Sequence, residues 1–135
     1  MLSEGGVDDL PTLRLLRRVA HDLTSAGSPH SYLIACGNEI VGLCGYKHPP
    51  RPDGSVEIGF GIAVARRNRG YATAAVALLL ARARRDPCVA TVVAETRTYN
   101  LASQSVLRRN GFAIWGGRSD DVEGELILWR AAPAG

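Results

Sequence analysis

The chain has 135 residues, 46% apolar and 21% charged, which suits one globular domain over residues 1–135 and excludes disorder. The net charge is only +3, 6% of residues are aromatic, and fifteen of the 16 basic residues are Arg, Lys47 being the exception; this is too small an excess for a nucleic-acid partner. No apolar run approaches the ~20 residues that cross a bilayer, and residues 1–9 lack the basic and apolar segments of a signal peptide, so a cytoplasmic chain with no membrane partner is expected.

From residue 8 to about residue 26, the spacing of Leu13, Leu16, Val19, Ala20 and Leu23 predicts a helix. Asp8 and Asp9 suit its N-terminal end, and Gly27 with Pro29 stops it. Residues 31–36 and 39–46 read as two strands joined by Gly37-Asn38, a two-residue turn in which positive φ is cheap. The proline-rich residues 48–54 form a loop. A strand over 56–64 follows, and its Gly59 and Gly61 mark a bulge or a close backbone approach. Residues 70–85 predict a helix with Val76, Leu79, Leu80 and Ala83 on one apolar face. Arg82, Arg84 and Arg85 complement its dipole, and Asp86-Pro87 ends it. Next come a β-branched strand over 89–96 and a short helix over 101–109, capped by Asn100 and stopped by Asn110-Gly111. Residues 112–115 and 125–130 are the last strands, joined by a polar, glycine-rich loop over 116–124. Hairpins followed by a strand-helix-strand crossover give a mixed α/β sheet of about six strands.

Cys36, Cys44 and Cys88 are an odd number without CxxC spacing, and His21, His30 and His48 are scattered. Buried, reduced thiols and no metal are expected.

The chemistry concentrates where a glycine-bearing strand ends in basic residues and a helix opens: Ile62-Ala63-Val64-Ala65-Arg66-Arg67-Asn68-Arg69-Gly70-Tyr71-Ala72-Thr73. Unpaired N–H groups and the macrodipole at a helix start make an anion site. Gly70 has no side chain to obstruct a phosphate, Ala72 is nearly as small, Arg67 and Arg69 add charge, and Thr73 offers a hydroxyl. Neither G-x-x-x-x-G-K-[ST] nor a completed G-x-G-x-x-G is present. The residues alone fit either a phosphate cradle or an ordinary Arg-rich bend.

Arg67-x-x-Gly70-x-Ala72, preceded by Val-Glu-Ile-Gly-Phe-Gly-Ile-Ala-Val and followed by an Ala/Leu helix, resembles motif A of the GNAT superfamily of N-acetyltransferases. Asn100-Leu-Ala-Ser103-Gln-Ser-Val106-Leu107-Arg-Arg-Asn-Gly111-Phe112 is similar to that family's second motif, in the version of the branch that acetylates ribosomal-protein N-termini. The resemblance implies a mainly antiparallel GNAT sheet, acetyl-CoA as co-substrate and an amine as acceptor. It implies that amides of Arg67, Asn68, Arg69, Gly70, Tyr71, Ala72 and Thr73 hold the pyrophosphate. The pantetheine arm would pair with the main chain of Ile62, Ala63 and Val64, where the family's sheet splays, and Asn100 would orient its amides.

Transfer needs a neutral amine, a polarised thioester carbonyl and a proton for the departing thiolate. Glu57 is the candidate base, directly or through a water, with a solvated or ion-paired strand residue as the other reading. An N–H near Val64 would hold the thioester oxygen. The family's usual Tyr position in the second motif is Leu107 here, so Ser103 is the candidate beside the CoA sulfur and Tyr99 a lesser one. Ser103 could equally serve only the first turn of its helix. No residue suggests a covalent acetyl-enzyme, and Cys88 reads as core, so direct attack in a ternary complex is expected. By the resemblance, the family's first strand is expected to be missing from a shortened N-terminal region, leaving the acceptor side open for a peptide N-terminus or small amine, or completed by a homodimer. Asp120, Asp121 and Glu123 would attract a cationic amine. The alternative function is an acetyl-CoA-binding module with weak or no catalysis.

Overall fold

The computed structural model describes residues 13–17, 31–63 and 70–132. Seven strands among them form one sheet: β1 (Leu13–Arg17), β2 (Ser31–Cys36), β3 (Glu39–Tyr46), β4 (Ser55–Ile62), β5 (Thr91–Arg97), β6 (Ala113–Asp120) and β7 (Gly124–Ala131). Helix α1 (Tyr71–Arg84) links β4 to β5, and α2 (Leu101–Arg109) follows β5. The strand order is β1-β2-β3-β4-β5-β7-β6, and β4 with β5 is the parallel pair in an otherwise antiparallel sheet. The mixed, mainly antiparallel architecture expected from the sequence is present, with β1 as an added strand.

That strand corrects the expected N-terminal helix. Leu13–Arg17 runs antiparallel to β2, from Leu13 opposite Cys36 to Arg17 opposite Tyr32. Leu15 is buried while Arg14 and Leu16 are exposed, so the two-residue period wins. Apolar residues at 13, 15 and 16 satisfy both a helical and an alternating template over so short a run, and an available ladder partner decides between them. A strand therefore precedes β2 where only a helix was expected. The remainder of the expected helix lies outside the described residues.

The C-terminal hairpin is also longer than its composition suggests. Residues 116–120, expected in a loop, continue β6 opposite β7, from Gly116 opposite Leu128 to Asp120 opposite Gly124. Pairing with a full-length neighbour overrides the weak strand preference of Gly116 and Gly117. A shift between Ile114 and Gly116 absorbs Trp115 as a bulge.

The core gathers Ile34, Val41, Val56, Val92 and Trp129 from the sheet with Val76, Leu79 and Leu107 from the helices. Trp129 donates from Nε1 to Thr96 Oγ1 at 2.9 Å, satisfying its buried polar atom. Two buried or half-buried amides then fix α2. Gln104 donates from Nε2 to the carbonyls of Arg97 (3.2 Å) and Thr98 (3.0 Å), tying α2 to the end of β5. Asn110 donates from Nδ2 to the carbonyls of Thr73 (3.2 Å) and Val106 (3.0 Å), tying its other end to the first turn of α1. Cys36 and Cys44 lie in strands as expected, but only Cys44 is buried, Cys36 is half-buried, and Cys88, expected in the core, is exposed in the turn after α1. There its N–H donates to Asp86 Oδ1 at 2.8 Å. No helix among the described residues is long and apolar enough to cross a membrane.

Candidate active site

The β4–β5 ladder has only three pairs, Ser55 with Thr91, Val56 with Val92 and Glu57 with Val93. Beyond them β4 keeps β3 as its partner and β5 keeps β7, so the sheet opens into a V. Lys47 N–H donates to Glu57 at 2.7 Å and Ala63 N–H to Val41 at 2.8 Å, so the odd-numbered residues of this stretch spend their main-chain groups on β3. Alternation then turns the N–H and C=O of Phe60 toward the open edge, where no described residue pairs with them.

The glycines here serve different purposes. Lys47 lies across β4 over Gly59, where a Cβ would come within 3.2 Å of the lysine Cε. A Cβ on Gly61 would meet nothing within 4 Å, so that position is open space on the cleft wall.

Helix α1 starts on the open side of the V. Gly70 takes φ 78 and ψ 4, a left-handed conformation that favours glycine, and no side chain among the described residues caps the helix. The first-turn N–H groups are thus left as donors, with no acidic residue in that turn. Gly70, Tyr71, Ala72 and Thr73 line a cleft of about 730 Å³ together with Phe60, Gly61 and Ile62. The opposite wall is one face of α2, Ala102, Ser105, Val106 and Arg109, at helical spacing. Arg109 is the charged residue on this wall, and it was missed by sequence reading although its spacing from Ala102 and Ser105 would have found it.

A second cleft of about 560 Å³ opens between β4, β5 and the β6–β7 hairpin. The two share Phe60, Asn100 and Ser103 as lining residues. Asn100 Oδ1 accepts the Ser103 N–H at 3.1 Å, so the cap satisfies the main chain of Ser103 while its hydroxyl has no partner among the described residues. Tyr99 is exposed on the second cleft, with its hydroxyl accepting from Arg97 Nη1 at 2.8 Å.

Ion pairs dress the second cleft. Arg118 grips Glu95 with two hydrogen bonds of 2.8 Å each, and this holds the Glu95 carboxyl below its ordinary range. Arg97 donates from Nε to Glu123 at 2.6 Å. Glu57 stands behind the wall, with Oε2 3.1 Å from Lys47 Nζ and a side chain 15% exposed. The acidic hairpin residues are not the free cluster their sequence suggested. Asp120 Oδ1 accepts the N–H groups of Val122 and Glu123, both at 2.8 Å, and these turn bonds keep its carboxyl below the usual range.

Of the residues singled out from sequence, the fold brings Ile62, Gly70, Tyr71, Ala72, Thr73, Asn100 and Ser103 to the first cleft. Ala63 lies beside it with its amide committed to Val41, which leaves Phe60, unnoticed in the sequence, as the residue facing the opening. Val64, Arg67, Asn68 and Arg69 lie outside the described residues. Glu57 and Ser103 do not line a common cleft, Lys47 being interposed.

The acetyltransferase (GNAT) domain family model matches residues 10–113. The chain is 34% identical over 76 residues to YjdG of Bacillus subtilis (strain 168), an uncharacterized N-acetyltransferase, covering 56% of this chain and 45% of YjdG. Among solved structures it is similar to RimL, a ribosomal-protein alpha-N-acetyltransferase in complex with coenzyme A. The TM-score is 0.71 at 22% identity, over 78% of this chain and 63% of RimL. It is also similar to the aminoglycoside acetyltransferase AAC(6′)-Ib with coenzyme A, with a TM-score of 0.66 at 16% identity over 76% of this chain and 65% of the other. The chain spans less than two thirds of the length of each of these proteins, and at such identities the two structures speak for the fold.

Proposed function

The chain belongs to the GNAT acetyltransferase family, and from that premise we propose that it is a cytoplasmic N-acetyltransferase moving the acetyl group of acetyl-CoA to a primary amine by direct attack. The observation that carries this reading is the meeting of two clefts at Phe60, Asn100 and Ser103, one walled by an uncapped helix start and the other by ionised side chains. One cleft suits an anionic, elongated co-substrate and the other an amine, and they touch where transfer would occur.

Acetyl-CoA supplies an activated acetyl group; the chain's residues supply its placement. Amides of Gly70, Tyr71, Ala72 and Thr73 cradle the pyrophosphate, with Arg67, Asn68 and Arg69 preceding them and Arg109 adding charge from α2. The open edge at Phe60 takes the pantetheine arm as an added strand directed along Ile62, Ala63 and Val64, and the Asn100 amide nitrogen orients it. The Val64 N–H polarises the thioester oxygen. Ser103 donates its hydroxyl proton toward the departing thiolate. Glu57 acts as base through a water rather than directly, since Lys47 stands between it and the cleft. Tyr99, exposed on the second cleft, supports a bulky acceptor such as a peptide or protein N-terminus. The likeness to RimL points the same way.

A thermal-shift titration with acetyl-CoA, followed by CoA release with a panel of amines, tests the proposal. Acetyl-CoA raises Tm for the unaltered chain and not for Gly70→Glu, whose carboxylate would occupy the phosphate position. One observation favours a second reading, an acetyl-CoA-binding module without catalysis: the candidate base is already engaged in an ion pair. That reading predicts the same Tm shift with no CoA release from any amine.

A further inference from the structure

We infer that the acceptor is a primary amine carrying a carboxylate close by, as an acidic peptide N-terminus does, and that polycationic amines are rejected. This acceptor class presupposes the acetyl-transfer reading above and belongs to the same site.

Among the described residues, three cations, Lys47, Arg97 and Arg118, and two carboxylates, Glu95 and Glu123, line the acceptor cleft. Glu95 is engaged at both oxygens and Glu123 at one. Arg118 takes both oxygens of Glu95, and Arg97 takes Glu123 through Nε and Nη2. The Lys47 partner, Glu57, is recessed behind the wall at 15% exposure, and Glu95 is 21% exposed. In those two pairs the cation stands further out, Lys47 at 52% and Arg118 at 45%, whereas Arg97 and Glu123 are level at 44% and 43%. The face presented to an incoming molecule is therefore positive, although the pairs behind it are balanced.

A polyamine or aminoglycoside needs several carboxylates with free lone pairs, and among the described residues of this cleft only Glu123 keeps an oxygen outside a charge-assisted bond. A carboxylate-bearing acceptor needs the reverse. Each guanidinium has five N–H donors in a rigid fork, more than its present partners use. A carboxylate one or two residues beyond the reacting amine would reach Arg97 or Arg118 while the amine sits at Ser103, because all three line the same cleft. Tyr99, stacked 5.9 Å from the Arg97 guanidinium carbon, props that arginine at the rim.

Steady-state kinetics on the full chain, with tetrapeptides of identical sequence except for Asp, Ala or Lys at the second position and with spermidine and kanamycin as polycations, test this. The Asp peptide should exceed the Lys peptide in kcat/KM by at least ~10-fold at low salt, the gap shrinking as screening increases. Arg118→Ala should cut the Asp-over-Ala preference about tenfold, through KM rather than kcat, and Arg118→Lys should restore part of it. Should Arg118→Ala fail to fold, the peptide series on the unaltered chain decides by itself. Equal kcat/KM for the Asp and Lys peptides, or preferred turnover of spermidine or kanamycin, overturns the acceptor class and leaves acetyl transfer standing. Absence of both acetyl-CoA binding and any CoA release overturns the two together.

Discussion

Asn100 Oδ1 accepts the amide hydrogen of Ser103 at 3.1 Å, and this cap seats the residue on which both clefts converge. Gln104, one position on, holds the same turn to the carbonyls at the end of β5. The turn is thus pinned by polar contacts that leave the Ser103 hydroxyl unspent. Asn100→Ala should cost about 1 kcal/mol of stability through loss of the cap. Asn100→Asp keeps the acceptor oxygen and should recover that stability, yet still raise KM for acetyl-CoA because the donating nitrogen is gone. Thermal unfolding beside steady-state kinetics checks the pair; recovery of both quantities by Asp would remove Asn100 from co-substrate binding.

Gly61 separates folding from binding. Its missing side chain would meet nothing within 4 Å, whereas a Cβ on Gly42 would lie 2.2 Å from the Gly61 carbonyl oxygen. Gly61→Val should unfold near the temperature of the unaltered chain but weaken acetyl-CoA by at least ~10-fold, since it fills the cleft wall. Gly42→Ala should instead lower Tm, because backbone cannot yield as a flexible side chain can. Calorimetric titration beside thermal melts reads both effects.

Glu57→Gln keeps size and removes the proton acceptor. At neutral pH kcat should fall on the order of 10²-fold, the loss shrinking toward high pH as solvent deprotonates the amine. A flat ratio of variant to unaltered kcat across pH 6–10 (a range of about four units,) would make Glu57 a structural partner of Lys47.

Glu95 reports on acid stability. Arg118 holds its carboxyl below the ordinary range, so the folded state binds the proton less readily than the unfolded chain. The resulting stability is present above the unfolded value, about 4.3, and is lost as pH falls through the lower folded value. Glu95→Gln should reduce stability at neutral pH and flatten its fall below about pH 4. Urea unfolding at neutral and acid pH measures this; parallel curves for variant and unaltered chain would contradict it.

Much of the fold was legible because the signals are local. The Gly37-Asn38 hairpin, the alanine-rich α1 and the Asn100 cap depend on residues within a few positions of each other. The misses came from ties that only a neighbour breaks. Leu13–Arg17 reads as helix until β2 offers a ladder, and Gly116 and Gly117 read as loop until β7 pairs with them. Cys88 looked like core because apolar residues follow it, yet the turn after α1 leaves it exposed.

The same division holds for the site. The residues near Gly70 and Asn100 announce a glycine-opened helix start and a capped turn from their order alone, because conformational freedom at glycine and side-chain capping act within one turn of chain. Order along the chain could not tell that β4 and β5 part after three pairs, that Lys47 crosses Gly59 to reach Glu57, or that Arg97 and Arg118 engage Glu123 and Glu95 in the second cleft. Those contacts join strands far apart in sequence. They are set by sheet order and by which charges a shared face forces together, and folding in three dimensions alone decides them.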